Sequence, residues 1–160
     1  MTGSAPGSLP GSAPGSLPGS VLFSCTMNSI RSPMAEAILK QMFPRQVFVD
    51  SVGVRKGSLD PLAAEVLDEI GIDIGKHRPK SFDDLEDSSF DLIITLSPEA
   101  HHRALEMTRT MACDVEFWNT FDPSIVEGNR DQRLQAYREV RDGLLKRIRE
   151  RFPKQQIQGG

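Results

Sequence analysis

Cys25 and Arg31 stand six positions apart, between an apolar run, Val21-Leu22-Phe23-Ser24, and a helical pattern opened by Ser32-Pro33. A thiolate is a nucleophile, and the N–H groups at a helix start hold oxyanions and stabilise thiolates. A guanidinium at the same loop adds a planar, two-pronged donor matched to phosphate. Nucleophile and anion cradle together point to phosphoryl transfer through a cysteinyl-phosphate. The bare spacing also fits a buried structural thiol beside a solvated arginine, because free cysteine packs as a small hydrophobe. Strand–loop–helix placement separates the two readings.

A thiolate that attacks a phosphate ester needs a proton donor for the departing alkoxide. Asp122-Pro123 supplies a carboxyl that the proline biases towards extended backbone. Asp-Pro is also a frequent turn opener. Asp60-Pro61 is the comparison within the chain, and there the aspartate reads as a helix N-cap.

The elements that must position these groups follow from periodicity. Short apolar strands are expected at Val21–Ser24, Val47–Val49, Phe90–Leu96 and Val115–Phe117. Helices are expected from Ser32-Pro33 to Pro44, from Pro61 to a C-capping Gly71, from Pro98 to about Met107, and over Asp131–Arg151. The first carries Ala35, Ile38, Leu39 and Met42, the second Leu62, Val66, Leu67 and Ile70. The last carries a buried stripe of Leu134, Tyr137, Val140, Leu144, Leu145 and Ile148. The stretch from Ile72 to Asp87 reads as loop with a short helical turn. Alternating strands and helices predict a single α/β domain with a four-stranded parallel sheet, helices on both faces and the phosphate-binding loop after strand 1. Ligands of such sheets bind outside the carboxyl ends of the strands. The Cys25–Arg31 loop, the Asp50–Asp60 loop and the loop after the fourth strand share that rim.

Residues 1–20 are different: Gly-Ser-Ala-Pro-Gly-Ser-Leu-Pro occurs twice, without a charged side chain. A flexible tail is expected over 1–20, the domain over 21–152, and a disordered C-terminus over 153–160. The chain has 160 residues with net charge −3, 38% hydrophobic and 26% charged residues, enough for one core. No long basic run marks a nucleic-acid partner, and no apolar stretch has membrane-spanning length. Two cysteines without paired spacing fit a reducing compartment, and the expected location is cytoplasmic. Cys25, Cys113 and His77 are scattered and His101-His102 are adjacent, so no zinc spacing is present and the histidine pair is expected to face solvent. Trp118 and Tyr137 read as packing residues, and Arg141 to Arg151 as a solvated face.

Cys25-Thr26-Met27-Asn28-Ser29-Ile30-Arg31-Ser32-Pro33, followed by Met34-Ala35-Glu36-Ala37, resembles the phosphate loop of the low-molecular-weight protein tyrosine phosphatase family. The resemblance continues through Asp50-Ser51-Val52-Gly53, Asp60-Pro61, Gly71-Ile72-Asp73, His77-Arg78-Pro79, Phe90-Asp91 and Phe121-Asp122-Pro123, about residues 21 to 152. It implies that Cys25 is the nucleophile and Arg31 the phosphate clamp, with Thr26, Met27, Asn28, Ser29, Ile30 and Ser32 completing the loop. It implies that Asp122 acts as acid and then base, and that Asn28, in a left-handed conformation, braces the loop with Ser32, Ser51 and His77. No metal or organic cofactor is implied, and the substrate is a phosphorylated protein or a small phosphomonoester. The residues leave the oligomeric state open. Thiol-dependent arsenate reduction on the same scaffold and phosphate binding without turnover are the alternatives.

Three positions depart from the family pattern. Met27 stands where glycine is usual and brings a side chain to the mouth of the loop. Ile30 replaces a frequent second cysteine, so Cys25 has no disulfide partner within the loop. Ser124 stands where an aromatic ring is common, and Arg55 and Lys56 flank the site without an aromatic, which suits a more anionic substrate than phosphotyrosine.

Overall fold

The computed structural model describes residues 17–86 and 89–154. Four parallel strands, β1 (Ser20–Cys25), β2 (Phe48–Gly53), β3 (Leu92–Thr95) and β4 (Asp114–Phe117), lie in the order β2-β1-β3-β4. The helices between and after them are α1 (Arg31–Met42), α2 (Pro61–Asp68), α3 (Pro98–Met107) and α4 (Arg130–Arg151). β1 sits between β2 and β3, so both of its edges are paired, and its residues from Val21 to Cys25 are buried, as its continuous apolar sequence requires. Val21, Phe23 and Cys25 face a core closed by α1, α2 and α4; Leu22 joins Val52, Ile93 and Ala104 in a second core under α3. Helices therefore cover both faces, and the Cys25–Arg31 loop leaves the sheet from its centre. Among the described residues no helix is long and apolar enough to cross a membrane.

The helix starts are written in the sequence. Asp60 accepts from Leu62 N–H, Ser97 from Ala100 N–H, and Asn129 forms a reciprocal cap with Gln132. α1 is the exception: its N-cap is Ile30, which offers no side-chain acceptor.

Some expectations need correction. The tail was expected to run to residue 20, but Ser20 opens β1, the Gly19 N–H donates to Asp91, and Leu17 packs against the larger core. The rest of that tail (1–16) and residues 155–160 of the expected C-terminal disorder lie outside the described residues. β2 continues past Val49 to Gly53 because Asp50 pairs with Lys80 and Ser51 is buried in the hydrogen bonds beneath the site. Ile70 is no part of the α2 face. The helix ends in a Schellman turn, with Ile72 N–H bonded to Leu67 O and Gly71 at φ 83, and this leaves Ile70 at the surface. His101 is not solvated: its Nδ1 meets Thr95 Oγ1 at 2.9 Å and its ring stacks on Phe117. Nor is Arg141, which is buried and donates to Val66 O and to Glu69.

Candidate active site

Cys25 ends the central strand with only 2% of its surface exposed. The loop after it turns through Asn28, whose φ of 55 is the left-handed conformation that asparagine tolerates. The loop then enters α1, whose first-turn N–H groups carry no side-chain cap, so they are available to an anion above Cys25 Sγ. Arg31, the first residue of α1, is nearly buried and donates from Nη1 to Thr120 O at 3.0 Å. That bond ties the guanidinium to the segment just before Asp122.

A cavity of about 360 Å³ opens over this loop and is lined by Cys25, Met27, Ser29, Ile30, Arg31 and Asp122, together with Ser58, Asp60 and Ser124. Asp122 reaches it from the turn after β4, where its Oδ1 accepts from the Ser124 N–H and hydroxyl at 3.0 and 2.7 Å. The Thr26 hydroxyl points away, donating to Ser97 at the start of α3.

Beneath the loop lies a polar network. Ser32 Oγ is 2.9 Å from Cys25 Sγ. Asn28 Nδ2 donates to Ser32 Oγ and to Ser51 Oγ at 2.8 and 3.0 Å; its Oδ1 accepts from Lys80 N–H and faces His77 Nε2, both at 3.0 Å. Ser51 in turn donates to Glu36, a nearly buried carboxylate on α1 that also pairs with Lys40 and lies 3.8 Å from His77 Nδ1. Burial holds the His77 imidazole below its ordinary pKa, opposed by the negative charge of Glu36.

The 54–60 loop is laced to the Cys25–Arg31 loop by four backbone bonds: Val54 to Cys25, Arg55 to Thr26, Gly57 to Met27 and Asp60 to Ser29. Gly53 makes this approach possible, since a Cβ there would lie 2.7 Å from Asn28 N. Met27 does not stand upright in the mouth. Its methyl group lies along Gly57, 3.2 Å from where a Cβ on that residue would sit. The loop cations are already partnered: Arg55 makes a two-pronged bridge to Glu99, and Lys56 lies 3.8 Å from Asp84.

Sequence reasoning missed Glu36, Thr120, and a second function for Asp60 and Tyr137. Asp60 caps α2 through Oδ1, as expected, and its Oδ2 accepts from the hydroxyl of fully buried Tyr137 at 2.7 Å. The signal for Glu36 was a lone carboxylate between Ala35 and Ala37, on the buried side of α1. Among the described residues, no cluster of three or more His, Cys, Asp or Glu side chains could hold a metal ion.

Cys113 precedes β4, whose Asp114 is in register with Leu92 of β3 and so with Val21 of β1. It therefore sits about 16 Å from Cys25 along the strands, at the opposite end of the sheet, far beyond disulfide reach. Burial pushes its thiol up to about 11, unlike a reactive cysteine.

Arsenate reductase of Bacillus subtilis is 32% identical over 130 residues, covering 81% of this chain and 92% of that protein. The tyrosine phosphatase AmsI of Erwinia amylovora shares the fold, with a TM-score of 0.69 at 22% identity over 88% of this chain and 94% of its own. The arginine phosphatase YwlE, in a cysteine-to-serine mutant with a phosphorylated active-site serine, superposes with a TM-score of 0.68 at 25% identity, covering 83% of this chain and 93% of its own. The family model of low molecular weight phosphotyrosine protein phosphatases matches residues 20–156, and the chain belongs to that family.

Proposed function

We propose that the protein is a cysteine-dependent phosphomonoester hydrolase, acting on a phosphorylated protein or a small phosphate ester through a cysteinyl-phosphate. The observation that carries this reading is the buried Cys25 Sγ under the uncapped start of α1, in one cavity with Arg31 and Asp122. The phosphoryl oxygens lie against the loop N–H groups and the Arg31 guanidinium. Cys25 thiolate forms the S–P bond as the P–O bond to the leaving group breaks, and Asp122 gives its proton to that oxygen. Asp122, now a carboxylate, takes a proton from water, which attacks the cysteinyl-phosphate and releases inorganic phosphate and thiolate. The Ser32 hydroxyl, within reach of Sγ, steadies the thiolate in both steps. Asn28, Ser51 and His77 hold Ser32 and the loop in place.

Relatives named arsenate reductase support a second reading, reduction of arsenate at the same cysteine. The separation of Cys113 from Cys25 along the sheet supports an external thiol as the reductant in that reading.

Hydrolysis of p-nitrophenyl phosphate by wild type and Cys25→Ser, without added metal, tests the proposal. Turnover lost in the variant is expected, and a folded wild type without turnover refutes it. Asp122→Ala should slow phenyl phosphate by about a hundredfold or more, because general-acid catalysis contributes about 10²–10⁴. It should slow p-nitrophenyl phosphate much less, since that leaving group needs little protonation. Equal effects on both esters would remove Asp122 from the first step.

A further inference from the structure

The wall of the catalytic cavity carries a second carboxylate. Asp60 lines it beside Asp122, and both of its oxygens are held: Oδ1 by Leu62 N–H and Oδ2 by the Tyr137 hydroxyl. These two bonds fix the orientation of the carboxyl group. Tyr137 is fully buried in α4, so the donor that sets Asp60 in place is rigid. Burial, Asp60 and Asp122 together hold the Tyr137 phenol protonated, as such a donor requires.

The charge balance around the mouth follows. Arg31 is the single cation among the lining residues, and its charge serves the phosphoryl oxygens. Arg133 acts electrostatically on Tyr137 but does not line the cavity. Arg55 and Lys56, which the sequence offered for an anionic substrate, face Glu99 and Asp84 instead. The remaining polar lining is serine: Ser29, Ser58 and Ser124; there is no aromatic ring. A substrate with acidic neighbours would meet the Asp60 carboxylate, while Asp122 carries the proton that it gives up in the first step. A cation beside the phosphoryl group would be attracted by Asp60, in a partly enclosed site where screening is weaker than on an open surface.

We propose that Asp60, oriented by Tyr137, is a specificity-determining residue that selects phosphoryl groups carried by, or lying next to, a guanidinium or ammonium group. The inference rests on the phosphatase reading for what happens to the substrate, but the selectivity is a property of binding and is measurable without turnover.

The test uses the full chain carrying Cys25→Ser and measures dissociation constants for three peptides of one length. They carry phosphotyrosine flanked by lysines, phosphotyrosine flanked by glutamates, and phosphoarginine with neutral flanks. Preference for the lysine-flanked peptide over the glutamate-flanked one by about tenfold or more, equal to about 1.4 kcal/mol, is the expected result. Tight binding of the phosphoarginine peptide places the favoured cation on the phosphate carrier, and weak binding places it on the flanking residues. Asp60→Asn in the same background should cut the preference at least about fivefold, since removing a unit charge from the cavity wall is worth that much in a partly screened site. Asparagine keeps an acceptor for Leu62 N–H and can donate to the Tyr137 oxygen, so α2 keeps its cap. Tyr137→Phe should give part of the same loss. Ser58→Lys adds a cation at an exposed lining position and should reduce the preference without touching the core.

No preference, or one for the glutamate-flanked peptide, overturns the proposal. So does a preference that survives both Asp60→Asn and Ser58→Lys. Loss of the phosphatase reading shows separately, as a wild type that binds these peptides but does not turn over p-nitrophenyl phosphate.

Discussion

Replacing Asn28 by alanine measures how much the bracing network contributes. The change removes two donated bonds, to Ser32 and Ser51, and two contacts at Oδ1, with Lys80 N–H and His77 Nε2. At about 0.5–1.5 kcal/mol net for each bond, the four are worth roughly 2–6 kcal/mol. Alanine must also hold a φ of 55, which costs about 1–2 kcal/mol. Water entering the space of the lost amide recovers part of this, so the expected loss is about 3–5 kcal/mol. That is a large share of the roughly 5–15 kcal/mol that keeps a domain folded. Urea unfolding reads the loss, and p-nitrophenyl phosphate reads the chemistry. Turnover should fall at least about tenfold, because Ser32 loses the shorter of the two bonds, to Asn28 and Val52 O, that keep its hydroxyl 2.9 Å from Cys25 Sγ, and misplacement of this kind is costly.

Asn28→Gly is the control. It loses the same bonds but adopts the left-handed backbone without strain, while its unfolded chain gains freedom worth about 0.4–1 kcal/mol. The two variants should therefore lie within about 1 kcal/mol of each other. Full recovery of stability and turnover by glycine would refute the reasoning, since backbone conformation and not the hydrogen bonds would then carry the effect. A loss under about 1 kcal/mol in both variants would refute it equally.

Two further predictions concern pH. His77 has a folded pKa depressed by burial, so the unfolded state takes up its proton first; its contribution to stability is present above about pH 6.5 and lost as the pH falls below it. Between about pH 7.5 and 5.5, wild type should lose more stability than His77→Gln, by no more than the one-proton slope of about 1.4 kcal/mol per pH unit; parallel profiles would remove His77 as the cause. Glu69 is held down to about 2, first by the hydrogen bond from Arg138 and further by Arg141, so its contribution is present above its ordinary value near 4.5 and lost as the pH falls towards 2. Glu69 is partly exposed, which screens the effect: Glu69→Gln should cost about 1 kcal/mol at neutral pH and nothing measurable near pH 2, and a loss independent of pH would contradict the ion-pair account.

What was legible in the sequence was local. The order of elements, the cap at Asp60 and the strand–loop–helix around Cys25 depend on neighbours within a few positions, where periodicity and capping chemistry act. β2 was read too short because Asp50 and Ser51 break an apolar run, and their partners, Lys80 and Glu36, are 30 and 15 positions away. The burial of Arg141 depends on Val66 and Glu69, more than 70 positions earlier. A basic helix end looks solvated until the surface it packs on is known. The candidate site divides in the same way. Cys25, Arg31 and Asp122 could be proposed from residue type and order, whereas the Tyr137–Asp60 bond spans 77 positions and the Arg55–Glu99 bridge 44. These long-range pairs turn Arg55 and Lys56 towards Glu99 and Asp84 and leave Asp60 as a fixed acidic group in the cavity wall.

Met27 shows why one departure from a family pattern cannot be judged alone. Glycine at that position leaves the phosphate loop open, and a side chain there threatens to close it. The chain accommodates the methionine because Gly57, bonded through its N–H to Met27 O, has no Cβ and leaves the side chain a surface to lie on. A Cβ on Gly57 would meet Ser29 Oγ at 2.6 Å and the methionine methyl at 3.2 Å, so the serine hydroxyl would have to shift and the methyl to give by a few tenths of an ångström. The permissive feature is thus a glycine 30 positions from the residue it serves, on a different loop. Open access to Cys25 is a joint property of the two loops and their four backbone bonds.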